Sequence, residues 1–264
     1  SNGYVLDESP RRMGRLEPVP EHERSDRGAL WKHMRRDGYL FLPGQLDPSL
    51  VMGFRNYYFE KLRETGLVDP LAPAVLGQDS GGEIDRAAMR AILFDDIVPG
   101  SVYAALTDHP AIREWFAWFL DDDVHLHKRR IIRHVRPGEA GIGTATQAHY
   151  DLVYLREGTD RVLSMWIPLG DCPVELGGLC YLEGSHRWVI HDERKGILRR
   201  AEWMTADLPM LAELRDSRWL LADYAAGDVV VHSSHIVHAA TDNVGQNNRI
   251  RLSTDIRYQR VSDP

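Results

Sequence analysis

Cysteine is almost absent. Cys172 and Cys180 are the only two in 264 residues, too few for a disulfide framework and not in a CxxC zinc spacing. No apolar run approaches the roughly 18 residues that a membrane span needs, so no membrane partner is expected. Positive charge is in the minority, with 32 Lys+Arg against 39 Asp+Glu and a net charge of −7. That balance argues against a nucleic-acid backbone as the main partner. One basic strand edge, with His125, His127, Lys128, Arg129, Arg130 and Arg133, lacks the interleaved aromatics that single-stranded nucleic acid stacks on. There is no internal repeat and no secretory signal pattern, and a cytoplasmic location is expected. Histidine is plentiful by contrast, with 12 residues, which turns the search for chemistry towards imidazole and carboxylate.

Residues 1–24 mix charge and proline without apolar periodicity and read as a mobile N-terminal arm. The remainder, 25–264, reads as one domain. Helical support is expected over 25–123. Asp26 precedes a helix that stops at Gly38, and Asp47-Pro48 gives an N-cap followed by proline at the first helical position. A further helix fits 109–120, with Asp108 able to cap it. Between them 39–42 reads as a short buried strand, and 67–100 as a long mobile connection with one short helix. From 124 the texture changes to short strand-like segments at 124–135, 145–155, 162–169, 178–182, 228–235 and 250–258, separated by Pro/Gly/Asp punctuation. One charged insertion, 187–220, interrupts them. The expected fold is mainly β with flanking α-helices, a sandwich or barrel over 124–264.

His149-Tyr150-Asp151 is the first candidate for chemistry. On a strand, alternate side chains share a face, so His149 and Asp151 would project together. Such a step, completed by a distant histidine, supplies the two-His-one-carboxylate facial triad of non-haem Fe(II) oxygenases, which leaves three coordination positions open. The spacing alone is weak: 12 histidines and 39 acidic residues predict about two His-x-Asp/Glu steps by chance, and the sequence has two. The other, at His191, lies in the charged insertion. Gln147 shares the face of His149 and Asp151 under strict alternation and is a candidate cosubstrate or substrate hydrogen-bond donor. Trp166 alternates with Ser164, away from the apolar set Leu163, Met165 and Ile167, so it faces either a cavity or solvent.

Order supplies what spacing does not. Trp166-Ile167-Pro168-Leu169-Gly170-Asp171 is followed by Gly177-Gly178-Leu179-Cys180-Tyr181-Leu182-Glu183-Gly184-Ser185-His186-Arg187, then by Ala226-Gly227-Asp228-Val229-Val230-Val231-His232, His238, Asn243 and Arg251-Leu252-Ser253-Thr254-Asp255-Ile256-Arg257-Tyr258. This ordered set resembles the phytanoyl-CoA dioxygenase-like (PhyH) family of Fe(II)/2-oxoglutarate-dependent oxygenases, from the Asp37-Gly38-Tyr39 segment to Tyr258. The resemblance implies a double-stranded β-helix, a cupin-like jelly-roll barrel, with iron ligands His149, Asp151 and His238. It prefers His238 over His232 and His235 because Asn243 follows five residues later. It implies Fe(II), 2-oxoglutarate and O2 as cofactor and cosubstrates. It implies an arginine for the distal carboxylate: Arg251 with Ser253 by local context, or Arg249 by the commoner spacing from the distal histidine. It places Trp166 in the substrate pocket. The implied function is hydroxylation, or another oxidative tailoring, of an unactivated C–H in a small molecule of secondary metabolism, with release of succinate and CO2. A polar metabolite, amino acid or sugar-like compound is the expected substrate. Asp151 stands where halogenating relatives have glycine or alanine. The rival readings are a metal-dependent cupin-like enzyme that does not use 2-oxoglutarate and a non-catalytic β-sandwich binding module.

Overall fold

The structure is a computed structural model and describes residues 1–139, 141–155, 158–197 and 203–264. In chain order the elements are β1 (Met13–Arg15), α1 (Arg27–Asp37), β2 (Tyr39–Leu42), α2 (Pro48–Lys61), α3 (Arg86–Ala91), α4 (Ser101–Thr107), α5 (Pro110–Leu120), β3 (Val124–Leu126), β4 (Ile131–Val135), β5 (Leu163–Pro168), β6 (Leu179–Leu182), α6 (Ser185–Arg194), α7 (Leu208–Leu214), β7 (Trp219–Leu221), β8 (Val229–Ser233), β9 (His238–Ala240) and β10 (Arg251–Arg260). One sheet has the order β1-β7-β6-β9. The other runs β2-β8-β5-β10-β3, with β4 also pairing β10. Two facing sheets flanked by helices make the expected jelly-roll, as an open two-sheet sandwich and not a closed barrel.

Alternation sorts the strand residues into three packed layers. Leu163, Met165 and Ile167 of β5, with Leu252, Ile256 and Tyr258 of β10, face outward onto α1, α2, α4 and α5. Trp166, Val230, Phe41, Tyr181 and Leu220 fill the space between the sheets. Cys180, Leu182, Trp219 and Leu221 face the other way, against α6, α7 and the segment carrying Ala148, Tyr150 and Leu152. β2, β5, β6, β7 and β9 therefore bury both faces, which fixes their register, since a one-residue slip would exchange two buried sets.

The helix signals hold at the residue level. The Asp26 carboxylate accepts from the Ala29 N–H and Gly38 closes α1 at φ +81°. Asp47 accepts from the Ser49 N–H ahead of Pro48. At α5 the cap is His109, whose Nδ1 accepts from the Ala111 N–H. Asp108 instead accepts from Arg113 and from the Tyr258 hydroxyl.

Three expectations are corrected. Residues 1–24 are not a free arm: β1 pairs in parallel with β7, Leu16 and Val19 are buried, and the Ser1 hydroxyl donates to the Ala240 carbonyl. The 67–100 connection is pinned to the strands, because Arg136 holds Asp79 at 2.6 Å and Gln78 bridges Arg249. It contains α3, continued by a π-helical turn over Ile92–Ile97. The segment 145–155 is not a strand: single bridges link Ala148 to Thr205 and His149 to His238, and the chain then turns into a 3-10 helix over Asp151–Tyr154.

Candidate metal centre

His149 and Asp151 come together although they do not lie on a strand. Tyr150 between them is extended, with φ −121° and ψ 145°, so its two neighbours project to the same side. The His149 N–H donates to the His238 carbonyl at 3.0 Å and the His238 N–H donates back at 2.8 Å. That reciprocal bridge clamps the first histidine to the start of β9 and sets the rings 4.3 Å apart, centroid to centroid. One donor atom from each of His149, Asp151 and His238 lies within 4.8 Å of the others, and all three residues are buried.

The imidazoles are presented as ligands. His149 Nδ1 lies 2.8 Å from the Gln147 carbonyl and His238 Nδ1 lies 3.1 Å from the Ile236 carbonyl. A proton on each Nδ1 donates there and leaves the Nε2 lone pair free, the arrangement that orients metal-bound histidine. Burial lowers both imidazole pKa values and so favours the neutral form. Burial works against ionisation of Asp151, but the Arg257 guanidinium overrides it and holds the carboxyl well below the usual carboxylate range. Arg257 grips Asp151 with both arms, Nη2 to Oδ1 at 2.8 Å and Nε to Oδ2 at 3.2 Å, and the Ser164 hydroxyl donates to Oδ2. A carboxylate has about four lone-pair positions, so these donors leave room for a metal ion.

Strand register accounts for this second set of groups. Ser164 of β5 is opposite both His232 of β8 and Arg257 of β10, all on the inner face. His232 is fully buried, its Nδ1 3.1 Å from the Tyr181 hydroxyl and its Nε2 3.6 Å from Asp151. It is a strand residue, as expected, yet it adjoins the triad. His235 lies apart, beside Asp160. Arg257 and Ser164 are not singled out by the sequence, and His232 is weighed there only as an alternative distal ligand. The available signal was alternation, since Arg251, Ser253, Asp255 and Arg257 occupy one face of one strand.

Arg251 is buried and donates from Nη1 to the Ser253 hydroxyl at 2.6 Å, while its Nε and Nη2 have no partner among the described residues. Unsatisfied guanidinium nitrogens in a buried position are costly, and a carboxylate is the ligand whose geometry satisfies them in pairs. Arg249 does not share that face. It precedes β10, is only half-buried, and points its Nε at the Leu76 carbonyl at 3.4 Å. Asn243 braces the turn, donating to the Val135 and Arg249 carbonyls. Gln147 lines the cavity of about 290 Å³ that opens onto His149 and Asp151. Trp166 does not line it. It packs edge-on against Tyr224 at 4.7 Å between the sheets, so it is a packed floor and not a pocket wall. The 187–220 insertion does reach the cavity, through Trp203.

A jelly-roll sandwich with two imidazoles and one carboxylate converging between its sheets defines the class, a mononuclear non-haem iron oxygenase. The profile of the phytanoyl-CoA dioxygenase (PhyH) family matches residues 34–251, and the chain belongs to that family. It is similar to 1-deoxypentalenic acid 11-beta-hydroxylase of Streptomyces exfoliatus, 28% identical over 246 residues that cover 90% of this chain and 82% of that protein. Among solved structures it resembles the non-haem alpha-ketoglutarate-dependent carbocyclase SnoK from nogalamycin biosynthesis, with a TM-score of 0.61 and 21% identity over 94% of this chain and 89% of the other. It also resembles the epimerase SnoN in complex with Fe3+, alpha-ketoglutarate and nogalamycin RO, with a TM-score of 0.59 and 21% identity over 90% and 84%. The expected fold and family are borne out, and with them the enzyme class, an iron- and 2-oxoglutarate-dependent dioxygenase.

Proposed function

We propose that the protein hydroxylates an unactivated C–H bond of a small molecule, with His149, Asp151 and His238 holding Fe(II) and Arg251 with Ser253 holding 2-oxoglutarate. One observation carries the reading. A neutral-histidine and carboxylate donor set stands in the same interior as a buried arginine with two unsatisfied nitrogens. That pairing fits a metal together with a dicarboxylate, and neither rival reading calls for the arginine. When bound, the iron with its cosubstrate supplies the oxidising power, with O2 consumed and succinate and CO2 released.

The chain's own residues do the positioning. The Gln147 and Ile236 carbonyls fix the tautomers of the two histidines. Arg257 and Ser164 keep Asp151 ionised and restrict its rotation. Arg251 takes the distal carboxylate of the cosubstrate, and Ser253 orients the guanidinium through their mutual hydrogen bond. The hydroxylase activity named for the Streptomyces exfoliatus relative supports hydroxylation as the outcome, as does the presence of Asp151. Gln147 is assigned to the cavity wall, where its amide can meet cosubstrate or substrate.

The test is oxygen-dependent conversion of 2-oxoglutarate to succinate by the Fe(II)-loaded protein. Conversion is expected in the wild type and lost in His149→Ala, Asp151→Ala and His238→Ala variants that retain the wild-type circular dichroism. Equal turnover without O2, or in Asp151→Ala, would overturn the proposal.

A further inference from the structure

The walls of the metal cavity are of two kinds. Ile131, Ala145, Leu155 and Trp203 offer apolar surface, and Arg129 and Arg133 offer two guanidinium groups. Several other arginines of the chain are neutralised locally: Arg113 by Asp108, Arg136 by Asp79, Arg218 by Glu183. Arg129 and Arg133 have no carboxylate partner among the described residues. Arg129 only lies over the Tyr154 ring at 5.4 Å. The single acid on the cavity wall is Asp151, and Arg257 already engages both its oxygens. The wall therefore carries a net positive charge, from Arg129, Arg133 and Arg257 against Asp151, beside a site that also takes a divalent cation. Like charges in a partly desolvated cavity repel, and an anion entering it relieves that repulsion.

Depth, and not register, separates these arginines from the one assigned to the cosubstrate. Arg133 of β4 stands opposite Ser253 across the pair with β10. It is exposed at the wall, whereas Arg251 is buried beneath. The volume, about 290 Å³, is at the small end of ligand sites. That suits one compact skeleton in this cavity, and a second cavity of about 610 Å³ adjoins it through Arg133, Gly143, Ala145 and Thr146.

We propose that the substrate is a compact organic acid, an apolar skeleton bearing a carboxylate, and that Arg133 with Arg129 receives the carboxylate while Trp203 and Ile131 cover the skeleton. This differs from the polar, sugar-like substrate expected from the sequence, and it rests on the oxygenase reading of the same cavity. A guanidinium fork takes a carboxylate with two parallel hydrogen bonds, which would fix the end of the molecule and so the C–H that faces the metal.

The experiment is equilibrium binding by calorimetry to the Fe(II)-loaded protein, without oxygen and with 2-oxoglutarate saturating. The probes are a panel of compact alicyclic carboxylic acids, each paired with its methyl ester. The best acids are expected to bind at least about tenfold more tightly than their esters, about 1.4 kcal/mol. That preference is expected to vanish in Arg133→Gln and shrink in Arg129→Gln, and to persist in Arg35→Gln, which alters a separate cavity. Affinity for 2-oxoglutarate should survive in Arg133→Gln. Three results overturn the proposal: no acid in the panel binding better than its ester, including no binding at all; a preference that survives in Arg133→Gln; or loss of 2-oxoglutarate binding in that variant. Failure of the oxygenase reading shows elsewhere, as the absence of oxygen-dependent succinate, because the acid-over-ester preference needs no turnover.

Discussion

Asp151 carries more of the site than its place in a three-residue step suggests. It is touched by two inner-face strands, through Ser164 of β5 and Arg257 of β10, and both contacts are made by side chains distant in sequence. Such pairings leave no local pattern, which is why the step was legible and its supports were not. His149 with Asp151 is one of two candidate steps by spacing, and the order of motifs selects them together with His238. Arg257 could have been found by following alternation two steps beyond Ser253. Partners of this kind typically change metal affinity by about 10–100-fold when removed. Arg257→Gln is therefore expected to weaken Fe(II) binding by that factor, measured by competition with a chelator. Arg257→Lys, which keeps the charge but loses the two-armed grip, should fall between. Unaltered iron affinity in Arg257→Gln would show that Asp151 needs no such support.

Elements differ in how plainly the sequence declares them. α1 and α2 are bounded by capping chemistry that acts within four residues, so Asp26, Gly38 and Asp47-Pro48 mark them directly. β5, β6 and β10 are marked by alternating apolar residues buried on two faces. β7 and β9, three residues each, are too short for a period to register, and β1 is held by its pairing with β7 and not by its own composition. The stretch 145–155 has a strand-like composition but pairs only through single bridges, so tertiary context overrides propensity there. The turn at Gly177, which leads into β6, shows an element boundary that only one residue type satisfies. Its φ is +81°, and a Cβ would stand 2.5 Å from the Thr241 carbonyl oxygen. Gly177→Ala is expected to destabilise the fold by about 1–3 kcal/mol, read as a lower denaturation midpoint with an unchanged m-value. A midpoint equal to that of the wild type would show that the turn relaxes.

For the whole molecule, the site is built on a scaffold that does not depend on it. Three apolar layers, from the helices through the sandwich to α6 and α7, include none of the three proposed metal ligands. Metal should therefore act on stability by mass action and not as a structural staple. Fe(II) at 100 times its dissociation constant is expected to add about 2.7 kcal/mol, or about 5–10 °C in Tm. Chelation should remove that increment and leave the far-ultraviolet circular dichroism unchanged. Unfolding on chelation would place the metal among the determinants of the fold. Among the described residues no helix is long and apolar enough to cross a membrane.

The scaffold, the triad and the buried arginine meet in one measurement, the visible charge-transfer absorption that a 2-oxoglutarate chelate of Fe(II) gives when both are added without oxygen. The account predicts a saturable band in the wild type and none in Asp151→Ala or His238→Ala. In Arg251→Gln it predicts a band that forms only at about 100-fold higher 2-oxoglutarate, the loss of about 3 kcal/mol of charge-assisted hydrogen bonding. A band of full intensity in Asp151→Ala, or an unchanged half-saturation in Arg251→Gln, would contradict it.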